Sequence, residues 1–381
     1  MKVLQVIPEL NAGGAERTTL EITEALTAAG HEAVVASCGG RLEAELEHLG
    51  GRLVRMDAKT KNPITLRRNA TRLASVIREQ GVDLIHARSR APAWSAFWAA
   101  KQTGIPYVTT YHGTYNARSA LKRWYNSVMA RGERVIANSE FIGDHVRKEH
   151  AFAAERITII PRGVDLRRYT PGEIPQDRLR AQSDTWALPD DGAIRLLLPA
   201  RLTRWKGQEV AIDALAQLKS RDWATLPHLV LAGDDQGRHD YTQGLRNRIQ
   251  QAGLQDHVHL VGHCSDMPAA IELCDIVLTP SVEPEAFGRT TAEAGAMKRP
   301  VIAANHGGAM EIIAQGETGL KVEPGNSDAL AQGIADVIAL GPAGRAQMGE
   351  KARARVARAY STQALQAATL RVYEEVLKCR P

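Results

Sequence analysis

Eleven short apolar runs punctuate the chain, and each gives way to polar or helix-forming sequence. The first six are "KVLQVIP" (2–8), "HEAVVAS" (31–37), "VDLIHAR" (82–88), "PYVTTYH" (106–112), "RVIANS" (134–139) and "ITIIP" (157–161). After a break the series resumes with "IRLLLPA" (194–200), "HLVLAGD" (228–234), "VHLVG" (258–262), "DIVLTPS" (275–281) and "PVIAAN" (300–305). Short β-branched runs alternating with helical stretches predict parallel strands covered by helices. The break, "RGVDLRRYTPGEIPQ" (162–176), is rich in Gly, Pro and charge and reads as a linker. The pattern therefore predicts an α/β chain with two doubly wound, Rossmann-like halves, over residues 1–170 and 171–359. A final helix near 362–378 carries an apolar stripe at helical spacing. In such sheets ligands collect at the carboxyl ends of the strands.

Composition narrows the setting. A length of 381 residues suits two cores better than one. The longest apolar runs fall well short of a bilayer span, and "MKVLQVIPEL" lacks the shape of a signal peptide. The four cysteines are scattered with no CxxC pair, as expected of reduced thiols in the cytoplasm. Net charge is only +5, yet residues 51–150 hold 18 Lys/Arg against 7 Asp/Glu. One basic face on a near-neutral protein implies anionic partners. The stretches 59–72 and 119–132, the second with Lys122, Arg123, Trp124 and Tyr125, suit an anionic membrane surface.

The strand ends carry the chemistry. After "DIVLTPS" comes "SVEPEAFGRTTAEAGAMKRP" (281–300), predicted as a loop and then a helix from Thr290 to Lys298, stopped by Pro300. Thr290 and Glu293 have capping-box spacing, so Glu293 could simply bond back to the helix start. The same geometry offers the Thr290 and Thr291 N–H groups to a phosphate, and Glu285 and Glu293 to sugar hydroxyls. "PARLTRWKGQE" (199–209) adds Arg201, Arg204 and Lys206 where a diphosphate would approach. Gly13 and Gly14 follow the first strand, but G-x-G-x-x-G is unmatched and the second strand ends without an acid for a ribose, which argues against a dinucleotide cofactor. Strand-end positions also single out His112, Arg88 and Arg90, with Tyr115 and Asn116 just beyond His112. "AGDDQG" (232–237) reads as a turn, and no His/Cys group has metal spacing.

Taken together, "GGAER", "YHG", "IPRGVD", "RLTRWKG" and "EPEAFGRTTAEA" appear in order along both halves. In this the chain resembles the retaining glycosyltransferases of family 4, with the GT-B fold of two Rossmann-like domains facing each other across a cleft. The resemblance implies a nucleotide-sugar donor, a UDP- or GDP-sugar, held mainly by the second half. Glu293 would bind the ribose, Glu285 the transferred sugar, and the backbone of Ala286, Phe287 and Gly288 with Thr290 and Thr291 would meet sugar and phosphate. Arg201 and Lys206 would neutralise the diphosphate without a metal. His112, Gly13 and Gly14 would line the sugar side, and Arg88, Arg90, Tyr115 and Asn116 the acceptor side. The last helix, about 360–381, would return to the first half. Catalytic weight falls on His112, Arg201, Lys206 and Glu285. A lipid-linked or saccharide acceptor in bacterial lipopolysaccharide or surface-polysaccharide synthesis follows by analogy. Nucleic acid and cofactors are not expected. The alternatives are a sugar-nucleotide epimerase or hydrolase on the same scaffold and a non-catalytic sugar-nucleotide-binding protein.

Overall fold

The structure, a computed structural model, describes residues 1–379 except Ala12, Asn116–Arg118, Asp222 and Ala224. The chain divides into two compact units, Met1–Gly163 with Thr362–Pro381, and Val164–Ser361.

The first unit is built on a parallel sheet of β1 (Lys2–Val6), β2 (Glu32–Ser37), β3 (Arg52–Arg55), β4 (Leu84–Ala87), β5 (Tyr107–Tyr111), β6 (Arg134–Ala137) and β7 (Ile157–Ile159). Its order is β3-β2-β1-β4-β5-β6-β7. The second has β8 (Arg195–Pro199), β9 (His228–Ala232), β10 (Val258–Gly262), β11 (Ile276–Thr279), β12 (Val301–Ala304) and β13 (Gly319–Val322), in the order β10-β9-β8-β11-β12-β13. Both are doubly wound α/β sheets, and in each the strand order reverses at one point: between β1 and β4, and between β8 and β11. Crevices for ligands open at such reversals.

All eleven predicted strands are present. β3 and β13 are additional, and both are sheet edges. "RLVR" has no buried residue and "GLKV" buries only its two ends, so neither has the continuous apolar run that marks a strand covered on both faces.

Helix boundaries follow local chemistry. In Pro63–Gln80, Asn62 Oδ1 accepts from the Ile64 N–H at 2.9 Å, Pro63 occupies the first turn, and Gly81 closes the end at φ 63°. The final helix, Thr362–Lys378, belongs to the first unit. Its Leu365, Val372, Tyr373 and Val376 join Val3, Ile22, Leu26, Leu84, Val108 and Ile136 in one core. Gln366 Nε2 donates to Glu21 O at 2.8 Å on the helix Gly14–Ala28. Among the described residues no helix is long and apolar enough to cross a membrane.

Candidate functional site

In the second unit three loops meet beside the β8/β11 reversal. β8 leads into residues 200–207. Here Leu202 N donates to Asp234 O at 3.0 Å, and the Arg201 carbonyl accepts from Gln208 Nε2 at 2.9 Å. Gly207 ends the loop in a left-handed conformation (φ 76°), where a Cβ would stand 2.1 Å from Pro280 O. That close approach sets the 200–207 loop against the one after β11, and Val282 N donates to Trp205 O at 2.8 Å.

Glu285 is the centre of the arrangement. Its Oε1 takes Lys206 Nζ at 2.8 Å and Ser281 Oγ at 2.6 Å. Lys206 and Glu285 side chains are only 15% and 17% exposed, so this pair is shielded from the solvent that makes surface ion pairs weak. Arg201 goes elsewhere: its Nη1 donates to Gln236 Oε1 at 3.3 Å on the exposed surface. The two cations expected to act as one group thus have separate partners.

The helix begins one residue before the predicted start, as Arg289–Ala296, with Gly288 as its cap at φ 93°. No capping box forms. Glu293 Oε1 accepts from Arg289 Nε at 2.9 Å, one turn back along the helix. The Tyr169 phenol also reaches Glu293, and burial followed by the Glu293 charge drives its pKa upward. A left-handed Gly cap supplies no side-chain acceptor, so the spacing rule for Thr290 and Glu293 has nothing to close on. Thr291 Oγ1 is buried against Thr279 Oγ1 at 3.2 Å, and Phe287 lies in the core. What these two residues can present to a ligand is backbone. Ala292 N is the first helical amide to bond back, to Gly288 O, which leaves the Thr290 and Thr291 N–H groups in the unbonded first turn.

A third loop, absent from the sequence expectations, fixes this geometry. After β12, His306 Nε2 donates to Ser281 O at 2.7 Å and Gly308 N to Glu285 O at 2.7 Å. A Cβ on Gly307 would stand 2.6 Å from Glu285 O, one on Gly308 2.7 Å from Phe287 Cα, and one on Gly288 2.6 Å from Ala309 Cα. The available signal was a Gly–Gly pair directly after a buried strand, the same signal that singled out Gly13 and Gly14.

In the first unit the strand-end residues sort differently from expectation. Arg88 is 1% exposed, and its donors go to Gln5 Oε1 at 2.8 Å and the Tyr373 hydroxyl at 3.5 Å. Its placement on the acceptor side does not agree with this burial. An arginine immediately after β4 is carried under the last helix, where it braces Gln5 and Tyr373. Arg90 is nearer the surface, donating to Asn126 Oδ1 at 2.7 Å and stacking over Tyr115 at 4.7 Å. Burial pushes the Tyr115 phenol up to about 12. Asn116 lies outside the described residues.

His112 follows β5 and lies beside Arg162, whose Nη2 is 3.4 Å from its Nδ1. Burial, then the Arg162 and Arg88 charges, hold its pKa well below the ordinary histidine value. Gly14 makes room for Arg162, because a Cβ there would stand 1.5 Å from Arg162 Nη1. Gly13, at φ 146°, precedes the helix. Arg162 stands in the "IPRGVD" run just after β7, where no strand-end or loop signal marks it as a site residue.

The first unit also has an open cavity of 560 Å³, lined by Trp94, Trp98, Leu121, Trp124, Lys61 and Lys122 among others. Trp94 and Trp124 stack at 4.8 Å, Arg67 lies 4.3 Å over Trp98, and Leu121 and Trp124 are exposed.

Comparison with known proteins agrees with this layout. The family described as Glycosyltransferase Family 4 matches residues 12–168, and Glycosyl transferases group 1 matches residues 184–355. A D-inositol 3-phosphate glycosyltransferase of Arthrobacter sp. (strain FB24) is 30% identical over 305 residues, covering 76% of this chain and 70% of the relative. The relative of that description from Jonesia denitrificans is 28% identical, and the match spans 63% of this chain and 59% of its length. Among solved structures, a glycosyltransferase from Rickettsia africae ESF-5 superposes with a TM-score of 0.91 at 36% identity, covering 100% of this chain and 99% of that one. Anabaena Alr3699/HepE, solved in complex with UDP and glucose, gives 0.81 at 25% identity, covering 98% and 100%.

Proposed function

The chain belongs to the family-4 glycosyltransferases, and from that premise we propose that it transfers a sugar, with retained configuration, from a UDP- or GDP-sugar to a lipid-linked or saccharide acceptor. The observation that carries this reading is the Lys206–Glu285–Ser281 cluster set beside the unbonded first turn of Arg289–Ala296. It combines a shielded ammonium, a carboxylate and two free amides at a sheet reversal, which is what a sugar diphosphate requires.

The chemistry follows from charge. Cleavage of the glycosyl–phosphate bond leaves a cationic sugar and adds negative charge to the departing diphosphate. Lys206 and the Thr290 and Thr291 amides stabilise that charge without a metal. Glu285 holds the ammonium in place before the donor arrives and accepts hydroxyls of the sugar afterwards. Glu293, steadied by Arg289 and Tyr169, accepts the ribose hydroxyls. No further carboxylate is assigned as a nucleophile, so the departing phosphate takes the acceptor proton on the same face. An anomerically inverted product would overturn this step.

The acceptor belongs to the first unit in this reading. The tryptophan-lined cavity with Lys61, Arg67 and Lys122 nearby suits an acceptor with an apolar chain and an anionic head, at the surface of an anionic membrane. That chemistry fits lipopolysaccharide or surface-polysaccharide assembly. The decisive experiment is a panel of UDP-, GDP- and ADP-sugars scored for binding and slow hydrolysis, with Glu293→Ala as the weakened-binding control. Folded protein that ignores every donor would refute the proposal.

A further inference from the structure

A cavity of 840 Å³ opens between the loops that follow β8 and β9, wholly within the second unit. That volume lies in the range of small-molecule sites, roughly 300–1,000 Å³. Its lining comes from Thr203, Arg204 and Trp205 and from the starts of the helices Gln208–Ser220 and His239–Gln251. Lys206, Glu285 and Ser281 do not line it. Two observations point to a ligand. Thr203 is only 6% exposed, yet its hydroxyl has no partner among the described residues. A buried hydroxyl is costly in that state, and a ligand can supply the missing partner. Gly244 stands inside a helix, where Gly is less stable than Ala, although a Cβ there would meet nothing within 4 Å. Packing of the fold does not demand that glycine, and what it leaves open is the cavity.

The lining selects the ligand. The guanidinium groups of Arg204 and Arg238 are matched by the carboxylates of Glu209 and Asp240, so a phosphate would gain no net attraction. No aliphatic side chain lines the cavity, so an acyl chain would find no surface. The side chains of Arg204, Glu209 and Asp240 make no hydrogen bond or ion pair among the described residues. The "AGDDQG" turn, by contrast, uses its carboxylates internally. Asp234 Oδ1 accepts from Gln236 N at 3.0 Å, and Asp235 takes Gly237 N at 2.9 Å and His239 Nδ1 at 3.0 Å. Tyr241 is held by its hydroxyl, which donates to Gln208 Oε1 at 3.1 Å. Carboxylates accept from paired hydroxyls, guanidinium groups donate to sugar oxygens, and the rings of Trp205 and Tyr241 suit the apolar C–H face of a pyranose. We propose that this cavity is a second carbohydrate site, which binds an uncharged oligosaccharide apart from the Lys206–Glu285–Ser281 cluster. The assignment does not depend on the transferase reading. Trp205 is shared by the two places. It lines the cavity, its ring carries Lys206 Nζ at 4.3 Å, and its carbonyl accepts from Val282 N at 2.8 Å. A saccharide in the cavity therefore rests against the residue that packs on the Lys206 ammonium.

The test is saturation-transfer NMR of the full chain with neutral trisaccharides of glucose, galactose, mannose and N-acetylglucosamine. At least one should receive saturation at its ring C–H protons, and neither inorganic pyrophosphate nor UDP should displace it. Glu209→Gln combined with Asp240→Asn should weaken that binding roughly tenfold, as loss of one or two hydrogen bonds does. Gly244→Leu fills the cavity and favours the helix, so it should abolish binding without lowering the melting temperature. Silence from every trisaccharide, or binding that survives either variant, would overturn the site. Displacement by pyrophosphate or UDP would make the cavity a phosphate site and overturn it as well. Trisaccharide binding that responds to both variants, in a protein inert to all nucleotide sugars, would support the cavity while removing the transferase reading.

Discussion

At the scale of single residues, the central feature is that Glu285 already has partners. It is held by Lys206 and Ser281, so in the proposed transfer its position needs no rearrangement to meet the sugar. Lys206→Met should lower kcat by roughly 10²–10³-fold, the usual effect of removing one preorganised charge stabiliser. It should also strand Glu285, so Lys206→Met with Glu285→Gln should be more stable than Lys206→Met alone in thermal melts. An additive loss in the double variant would mean the pair is not coupled. Gly288→Ala is a second test, because it requires a left-handed conformation and a Cβ 2.6 Å from Ala309. It should cost on the order of 1–3 kcal/mol in urea unfolding and impair donor binding; unchanged stability would contradict the account of the cap. The sequence places Glu285, Lys206 and Glu293 just beyond strand ends because strand ends are readable from apolar runs. It could not show that Glu293 bonds to Arg289, because spacing does not reveal that Gly288 caps the helix. The sequence puts Arg88 at a strand end on the acceptor side and does not reveal its burial, which depends on Tyr373, 285 residues later in the chain.

At the scale of elements, burial on both faces decided what was legible. The central strands are continuous apolar runs, whereas β3 and β13 lie at edges and mix polar with apolar residues. Between the central strands lies a polar seam that no local pattern announces. His86 on β4 bonds Thr110 on β5 through Nε2 at 2.8 Å and Tyr373 on the last helix through Nδ1 at 2.6 Å. Burial first, then Arg88, holds the His86 pKa well below the ordinary value, and His112 is lowered in the same direction. Both therefore bind fewer protons in the folded state than in the unfolded chain once pH drops below about 6.5. Their stabilising contribution is complete above that pH and declines as pH falls toward the folded pKa values. Urea unfolding of the first unit should weaken as pH falls from 6.5 to 5, each histidine's slope rising toward a limit of about 1.4 kcal/mol per pH unit. His86→Gln should have a shallower slope. Equal slopes in wild type and variant would show that His86 is not one of the groups responsible.

At the scale of the whole molecule, the two units differ in how the chain builds them. The second is one continuous segment, whereas the first is completed only when the chain returns at Thr362. That return brings Leu365, Val372 and Val376 into the first core, where burial of three aliphatic side chains is worth about 5–9 kcal/mol. It also brings Tyr373, the partner of both His86 and Arg88. A domain's entire stability is about 5–15 kcal/mol, so the first unit cannot afford to lose this helix. The second unit contains none of its residues. Truncation after Ser361 should thus unfold Met1–Gly163 while Val164–Ser361 keeps its own core and its Lys206–Glu285 cluster. Hydrogen exchange resolved by peptide is the direct measurement: protection should vanish across β1, β4 and β5 and persist across β8, β11 and β12. If the second unit holds the donor, as proposed, the truncated protein should still bind UDP, with transfer abolished. Protection retained in β4 after truncation would show that the first core closes without Tyr373. Protection lost everywhere would show that the two units do not fold as separate cooperative bodies.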